Sequence, residues 1–184
     1  MEYINIFASV KQLEGEKVIL RPLAMSMAEE LFAAVDESRE ELLRFLPWEN
    51  KTVDDTREFI QRSVREREEG WSLGLAVYEK STGTCAGTIG LRFKDSYSPI
   101  GFIGYWIRTS LAGNGYATDA VTTLVRFCRD HLKLVRIDAA VAATNVASQR
   151  VMAKCGFQEE GFKRKGQLCH GTWHDLKLFG KILA

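Results

Sequence analysis

The segment that most restricts this chain runs from Tyr105 to Thr118 and reads Tyr-Trp-Ile-Arg-Thr-Ser-Leu-Ala-Gly-Asn-Gly-Tyr-Ala-Thr. It joins a strand-like run to a helical one through Gly113 and Gly115, and the apolar period changes there from 2 to 3.6. Before it, Trp71 to Tyr78, Cys85 to Phe93 and Ile100 to Ile107 are apolar runs separated by turn-forming stretches at 81–84 and 95–99. They predict an antiparallel meander, and the alternation of Trp71, Leu73, Leu75 and Val77 predicts a half-buried first member. After it, Ala117, Ala120, Val121, Leu124, Phe127 and Cys128 fall at helical spacing. Val135 to Ala142 then reads as a buried strand, and Val146 to Cys155 as a second helix stopped by Gly156. Strand, helix, strand implies a parallel crossover, so the fold class is α+β with a mixed, mostly antiparallel sheet flanked by helices.

The remaining elements fit around that centre. Val18 to Leu23 predicts a first strand, followed by an acid-rich helical region broken around Leu46-Pro47-Trp48. Thr52-x-x-Asp55 is the pattern of a capping box, opening a helix that ends near Gly70. Its apolar stripe is narrow (Phe59, Ile60, Val64), so its many charges read as a solvated face, with substrate attraction as the alternative. Phe157 to Lys165 and Thr172 to Ile182 read as closing strands. With 184 residues and no repeat or linker, the expectation is one domain over 1–184 with its core from about residue 18 onward.

Charge and cysteine usage exclude several function classes. Lys and Arg number 25 against 24 Asp and Glu, which leaves no basic excess for general nucleic-acid binding. No run approaches the roughly 18 apolar residues of a membrane span. Glu2 and Lys11 break the pattern of a signal peptide, and Cys85, Cys128, Cys155 and Cys169 are scattered without a Cys-x-x-Cys. A cytoplasmic protein with reduced thiols is the expectation. Cys169, His170 and His174 lack a fourth ligand at zinc-finger spacing and read as a polar turn around Gly171, so no metal is expected.

Glycines between a strand and a helix let successive backbone N–H groups converge at the positive helix end, an arrangement that holds phosphate without lysine. A P-loop is excluded because no Gly-Lys-Ser/Thr follows, and a dinucleotide fingerprint because position 118 is Thr. A plain strand–helix connection is the alternative. A second block, Asn145-x-x-Ser148-x-Arg150-Val151-Met152-x-Lys154-Cys155-Gly156-Phe157, follows a strand directly, with Asn145 placed to cap a helix.

Together the two blocks resemble the GNAT superfamily of N-acetyltransferases. The family's Gln/Arg-x-x-Gly-x-Gly/Ala signature is matched by Ala112-x-x-Gly115-x-Ala117, with Ala112 departing from the first position. Leu20-Arg21-Pro22-Leu23, Phe45-Leu46-Pro47-Trp48, Ile103-Gly104-Tyr105-Trp106, Glu160-Gly161-x-x-Arg164 and Gly171-x-Trp173-x-Asp175 are similar to the RimJ/RimL branch, which acetylates N-terminal amines of ribosomal proteins.

The resemblance implies acetyl-coenzyme A in an opening between the fourth and fifth strands. Trp106, Ile107 and Arg108 would pair their backbone with its pantetheine arm. Gly113, Asn114, Gly115, Tyr116, Ala117 and Thr118 would offer N–H groups to its pyrophosphate. Asn145 would meet the cofactor where the strands part, and Arg150 a phosphate. Met152 stands where many relatives carry a tyrosine acid, which leaves Ser148 as the catalytic group that protonates the leaving thiolate; a hydrogen bond to the preceding helical turn is its alternative role. Phe102 and Gln167 occupy the positions that customarily hold a basic carboxylate. Tyr105, His170, His174, Asp175 or a water relay are the substitutes. Phe45, Trp48, Glu40 and Glu41 are candidates to line the acceptor site, with Trp48 equally a core residue. The implied activity is acetyl transfer to a protein α-amine, with a small-molecule amine or a weakly catalytic coenzyme A-binding role as alternatives, in an assembly of two or more copies.

Overall fold

The computed structural model describes residues 3–93 and 98–183. Eight strands form one open sheet: β1 (Leu13–Glu14), β2 (Val18–Pro22), β3 (Ser72–Glu79), β4 (Cys85–Phe93), β5 (Ile100–Ile107), β6 (Arg136–Ala142), β7 (Gln158–Cys169) and β8 (Thr172–Ile182). Their spatial order is β1-β2-β3-β4-β5-β6-β8-β7, and every pairing is antiparallel except β5 with β6. The helices are α1 (Ile4–Ser9), α2 (Ala28–Glu37), α3 (Arg39–Leu43), α4 (Val53–Glu68), α5 (Tyr116–Asp130) and α6 (Val146–Lys154).

The short β1 shifts the strand count by one, so the expected opening between the fourth and fifth strands is that between β5 and β6. Their parallel register covers only Ile100↔Arg136, Gly101↔Ile137 and Phe102↔Asp138. Beyond Phe102, β5 continues alongside β4 as far as Ile107, while β6 follows β8 as far as Ala142. The two strands therefore part, and the parting sits at the strand end that feeds the glycine turn.

One face of the sheet is covered by α5, which buries Ala120, Val121, Leu124, Phe127 and Cys128 against Leu20, Leu75, Ile89 and Ile103. The other face carries a smaller cluster in which Leu31 of α2 and Ile60 of α4 meet Ala76 and Tyr78. Both faces of β3 are therefore packed, and its Leu73, Leu75, Ala76, Val77 and Tyr78 are all buried. The alternating, half-buried strand expected there is corrected by this second layer: small Ala76 is an interior residue rather than a solvent-facing one, and Trp71 lies outside the strand. The meander, crossover and closing strands follow the expected order, and β7 runs four residues past Lys165 by means of register shifts. The turn expected over Asp95 to Pro99 falls largely on residues outside the described set. No helix among the described residues is long and apolar enough to cross a membrane.

Candidate active site

Hydrogen-bond alternation along β5 decides which backbone groups face the opening. Arg108 N–H donates to Ala86 O at 2.8 Å, on the β4 side. Residues of one parity along a strand point their N–H and C=O the same way, so Trp106 faces β4 with both groups and Arg108 with its N–H, the Arg108 carbonyl accepting instead from Leu111 N–H at 3.1 Å. Tyr105 and Ile107, which lie beyond the last residue paired with β6, turn theirs toward the gap. Of the three residues expected to pair with an extended ligand arm, Ile107 has that orientation. The Arg108 guanidinium is engaged as well, by Glu37 and by Cys85 O at 3.2 Å.

The glycine turn is braced from behind. Glu37, at the end of α2, accepts from Arg108 and from Ser110 N at 3.0 Å, and Ser38 Oγ accepts from Thr109 N at 2.9 Å. Hydrogen bonds from Arg108 and Ser110 hold the Glu37 carboxyl well below the usual carboxylate range, at about 2. Gly113 and Gly115 then take φ values of 81° and 86°, and Gly115 starts α5 with no side-chain cap. The first N–H groups of α5 are therefore presented bare at the positive end of the helix dipole. A Cβ on Gly113 would meet nothing within 4 Å, and one on Gly115 only Lys17 Nζ at 3.3 Å. Open space beside uncapped amides is what a diphosphate needs, so the residues present fit the phosphate arm of coenzyme A.

Lys17 was not visible as a site residue in the sequence. Asp119, in the first turn of α5, accepts from the backbone N–H of Glu16, Lys17 and Val18 at 3.2, 2.8 and 3.0 Å. This pins the β1–β2 turn beside the glycine loop, where Lys17 Nζ donates to Asn114 O at 3.0 Å. No local pattern around residue 17 signals this, because the link runs across about 100 residues of sequence. Tyr116 donates its hydroxyl to Glu79, and Thr118 O accepts from Cys155 Sγ at 3.5 Å, so the Tyr116 side chain and the Thr118 carbonyl are turned into the fold.

Asn145 caps α6, its Oδ1 accepting from Ser148 N at 3.0 Å. This places the Ser148 hydroxyl on the first turn of α6, facing β5, where Tyr105 Oη lies 2.8 Å from Ser148 Oγ. A cavity of about 350 Å³ runs along the opening, lined by Ile103, Tyr105, Ala139 to Ala142, Asn145, Ser148, Met152 and Gln167 among others. Met152 is fully buried and brings no proton. Burial pushes the Tyr105 phenol up to about 12, which makes it a proton donor and a poor base. Arg150 is exposed on α6 and does not line this cavity.

A GNAT acetyltransferase domain model matches residues 17–158, which spans the glycine turn, the opening and α6. The chain belongs to the GNAT acetyltransferase family. It is similar to YjcK of Bacillus subtilis strain 168, named a probable N-acetyltransferase, at 30% identity over 167 residues, 89% of this chain and 92% of that one. It is 21% identical to a ribosomal-protein-serine acetyltransferase of Escherichia coli strain K12 over 171 residues, 92% of this chain and 94% of the relative. The fold superposes on RimL, a ribosomal alpha-N-protein acetyltransferase in complex with coenzyme A, with a TM-score of 0.88 at 19% identity, over 94% of this chain and 98% of that one.

In this GNAT enzyme a second cavity, of about 720 Å³, lies on the other side of β5 under α4 and the segment Leu46 to Asn50. The two cavities share Leu46, Phe102, Gly104 and Tyr105, so they meet across β5. The floor of the larger one is a row of glycines in register, Gly74↔Gly90 and Gly90↔Gly104. A Cβ on Gly104 would meet no atom within 4 Å, so the space above it is left open by the protein's own side chains. Trp48 and Trp106 close one wall, their ring centroids 6.4 Å apart. Phe45 lines the smaller cavity and Trp48 the larger, whereas Glu40 and Glu41 lie outside both.

Four carboxylates line the larger cavity, Glu49, Asp55, Glu58 and Glu66, and all but Glu58 have side-chain partners among the described residues. Glu66 bonds Arg92 and Ser72 Oγ, Asp55 completes the capping box with Thr52, and Glu49 meets Lys51 and His170. Asp175 accepts from Lys165 N at 2.7 Å and thereby closes a bulge in β7. His170 reaches Leu46 O at 3.0 Å and Glu49 at 2.9 Å, tying the β7–β8 turn to the wall of the larger cavity. Among the described residues no three His, Cys, Asp or Glu side chains gather as a metal site.

Proposed function

We propose that this enzyme acetylates α-amines, with the N-terminus of a protein as the acceptor, by direct attack on acetyl-coenzyme A held at the β5–β6 opening. The uncapped amides at 113–118 hold the diphosphate, the gap-facing backbone of Tyr105 and Ile107 pairs with the pantetheine arm, and the bound thioester supplies the acetyl group. Ser148 faces the departing sulfur, while the acceptor approaches over Gly104 from the larger cavity.

One observation carries the choice of acceptor. Among the described residues lining the opening there is no Asp, Glu, His or Lys, so beside the thioester the amine meets hydroxyls, amides and apolar walls but no base, the carboxylates being confined to the larger cavity that it crosses. The acceptor must then arrive neutral from solution. An α-amine ionises near pH 7.7–8.0 and a lysine-type amine near 10.4, so at pH 7.5 the neutral fraction of the former is larger by roughly a few hundredfold. With no base beside the thioester, the weaker base is favoured. The activities named for the ribosomal-protein relatives point to the same class. A cavity of about 720 Å³ is also of a size that takes a small amine whole, so an amino-acid derivative is the second reading.

The test is kcat/KM against pH for two peptides of one sequence, one with a free α-amine and one N-blocked with a single lysine, together with the free amino-acid amide. The expected profile for the first rises to a plateau set by the peptide's own α-amine, and the lysine peptide is slower by two orders of magnitude or more at pH 7.5. Equal rates for both peptides would remove the α-amine reading. Absence of turnover on every amine, with coenzyme A still bound, would remove acetyl transfer itself.

A further inference from the structure

Tyr105 and Ser148 reach each other from opposite sides of the opening, one from β5 and the other from the first turn of α6, with 2.8 Å between their oxygens. Two hydroxyls at that distance share one hydrogen bond, and its direction follows from chemistry. A phenol is a much stronger acid than an alcohol, so Tyr105 donates and Ser148 Oγ accepts. The other acceptor within reach of Tyr105 Oη is Ser148 O at 3.4 Å, which is too long to compete. Ser148 Oγ makes no other hydrogen bond among the described residues, and its remaining direction is into the cavity between β5 and β6.

We propose that Tyr105 is a positioning residue for Ser148: its phenol fixes the serine hydroxyl so that Ser148's hydrogen points at the departing sulfur, and the two hydroxyls deliver one proton as a pair. This rests on the acetyl-transfer reading above. During transfer the amine nitrogen bonds to the acetyl carbon and the C–S bond breaks, its electron pair going to sulfur. Ser148's hydrogen moves to sulfur, and Tyr105's hydrogen moves to Ser148 Oγ. The proton that nitrogen sheds as the amide forms returns to the Tyr105 oxygen through water. Nitrogen has lost one proton, sulfur has gained one, and both hydroxyls end as they began. A lone serine would be left as an alkoxide beside the new thiol, a far stronger base than the phenolate that the pair leaves until the amine's proton returns. Burial keeps Tyr105 protonated through the working pH range.

The decisive experiment needs no acceptor amine. The thiol of coenzyme A bound to the enzyme is titrated through its thiolate absorbance, in wild type, Tyr105→Phe, Ser148→Ala and the double variant. A hydrogen bond aimed at sulfur favours the thiolate, so the wild-type thiol should ionise about one pH unit lower than in either single variant. The double variant should match the single ones, since the two hydroxyls act as one unit. Titrations that coincide in wild type and Tyr105→Phe would overturn the inference. In the acetyl-transfer assay, Tyr105→Phe should lower kcat roughly 10- to 100-fold with KM for acetyl-coenzyme A within about twofold. Equal losses in kcat and affinity would reduce Tyr105 to packing. If Tyr105→Phe folds poorly, difluorotyrosine at the same position keeps the oxygen but loses its proton at lower pH, and the alkaline fall of kcat should move down with it; an unmoved fall counts against the pair. A shifted titration without turnover on any amine would leave the pair standing and remove only the proposed function.

Discussion

The two cavities on either side of β5 are built from different materials. The proposed coenzyme side is made of main chain: amides at 113–118 with no side-chain cap, and strand edges that part after Phe102. The proposed acceptor side is made of side chains from α2, α4 and the segment Leu46 to Asn50, set above a floor of glycines. Glycine also serves the two sides differently. Gly113 and Gly115 are required by backbone conformation, with φ values of 81° and 86°. Gly90 and Gly104 have ordinary strand conformations and room for a methyl group, so what they contribute is vacancy. One pair of glycines shapes the chain, and the other shapes the space.

The comparison breaks most sharply at Gly115. Valine there would be forced into a left-handed conformation that a β-branched residue strongly disfavours, and the first amides of α5 would turn away from their common point. Coenzyme A Kd should rise roughly 100-fold, about 2.7 kcal/mol, with acceptor KM unchanged. A calorimetric titration showing less than a threefold loss would mean that the loop amides do not carry the phosphate. Gly104→Ala is the mirror experiment. Strand propensity should leave the melting temperature equal or slightly raised, while the methyl group narrows the passage between the cavities and raises acceptor KM roughly 10-fold. Coenzyme A affinity should not move. An unchanged acceptor KM would show that the substrate does not cross Gly104.

Lys17 gives a smaller effect on the coenzyme side. Its ammonium adds a point charge beside the amides proposed to hold the diphosphate. Lys17→Ala should therefore weaken coenzyme A binding about threefold to fivefold at low salt, and less at 0.5 M salt, where the charge is screened. A loss that ignores salt would assign Lys17 to holding the loop through Asn114 O instead.

How much of this was legible in the sequence follows the same division. Main-chain sites leave a local trace, because glycine at fixed spacing and Asn145 before Ser148 are needed wherever a helix begins in this way. The meander and the crossover follow from period changes over a few residues, whereas the parting of β5 from β6 was implied by the family resemblance alone. The acceptor side leaves no such trace. Glu58 and Arg62 look like a solvated helix face in the sequence, yet they line the larger cavity, because α4 lies along the sheet rather than away from it. Gly74, Gly90 and Gly104 are scattered over three strands and become a row only through register. The missing base is the converse case. Phe102 and Gln167 were readable as empty positions, and the structure adds that Asp175, Glu49 and Glu66 are already engaged. Helix α1 escaped notice altogether, since six residues around Phe7 carry too little periodicity to stand out.

The smallest expected effect belongs to the brace behind the glycine turn. Glu37 holds Arg108 and Ser110, and these hydrogen bonds bring its carboxyl down to about 2 from 4.5. The charged form is therefore favoured by the fold. The stabilisation is complete above about pH 4.5 and is lost as pH falls from there through about 2. Glu37→Gln keeps an oxygen for Ser110 but removes the charge that Arg108 meets. Near neutral pH the variant should melt a few degrees lower and bind coenzyme A about twofold more weakly, because the turn is held less firmly in its binding shape. As pH is lowered from 4.5 towards 2, wild type should lose its advantage until the two melting curves coincide. A gap that stays constant over that range would mean that Glu37 acts through hydrogen-bond geometry alone. The turn's shape would then depend on Ser38 and on the glycines rather than on an ion pair.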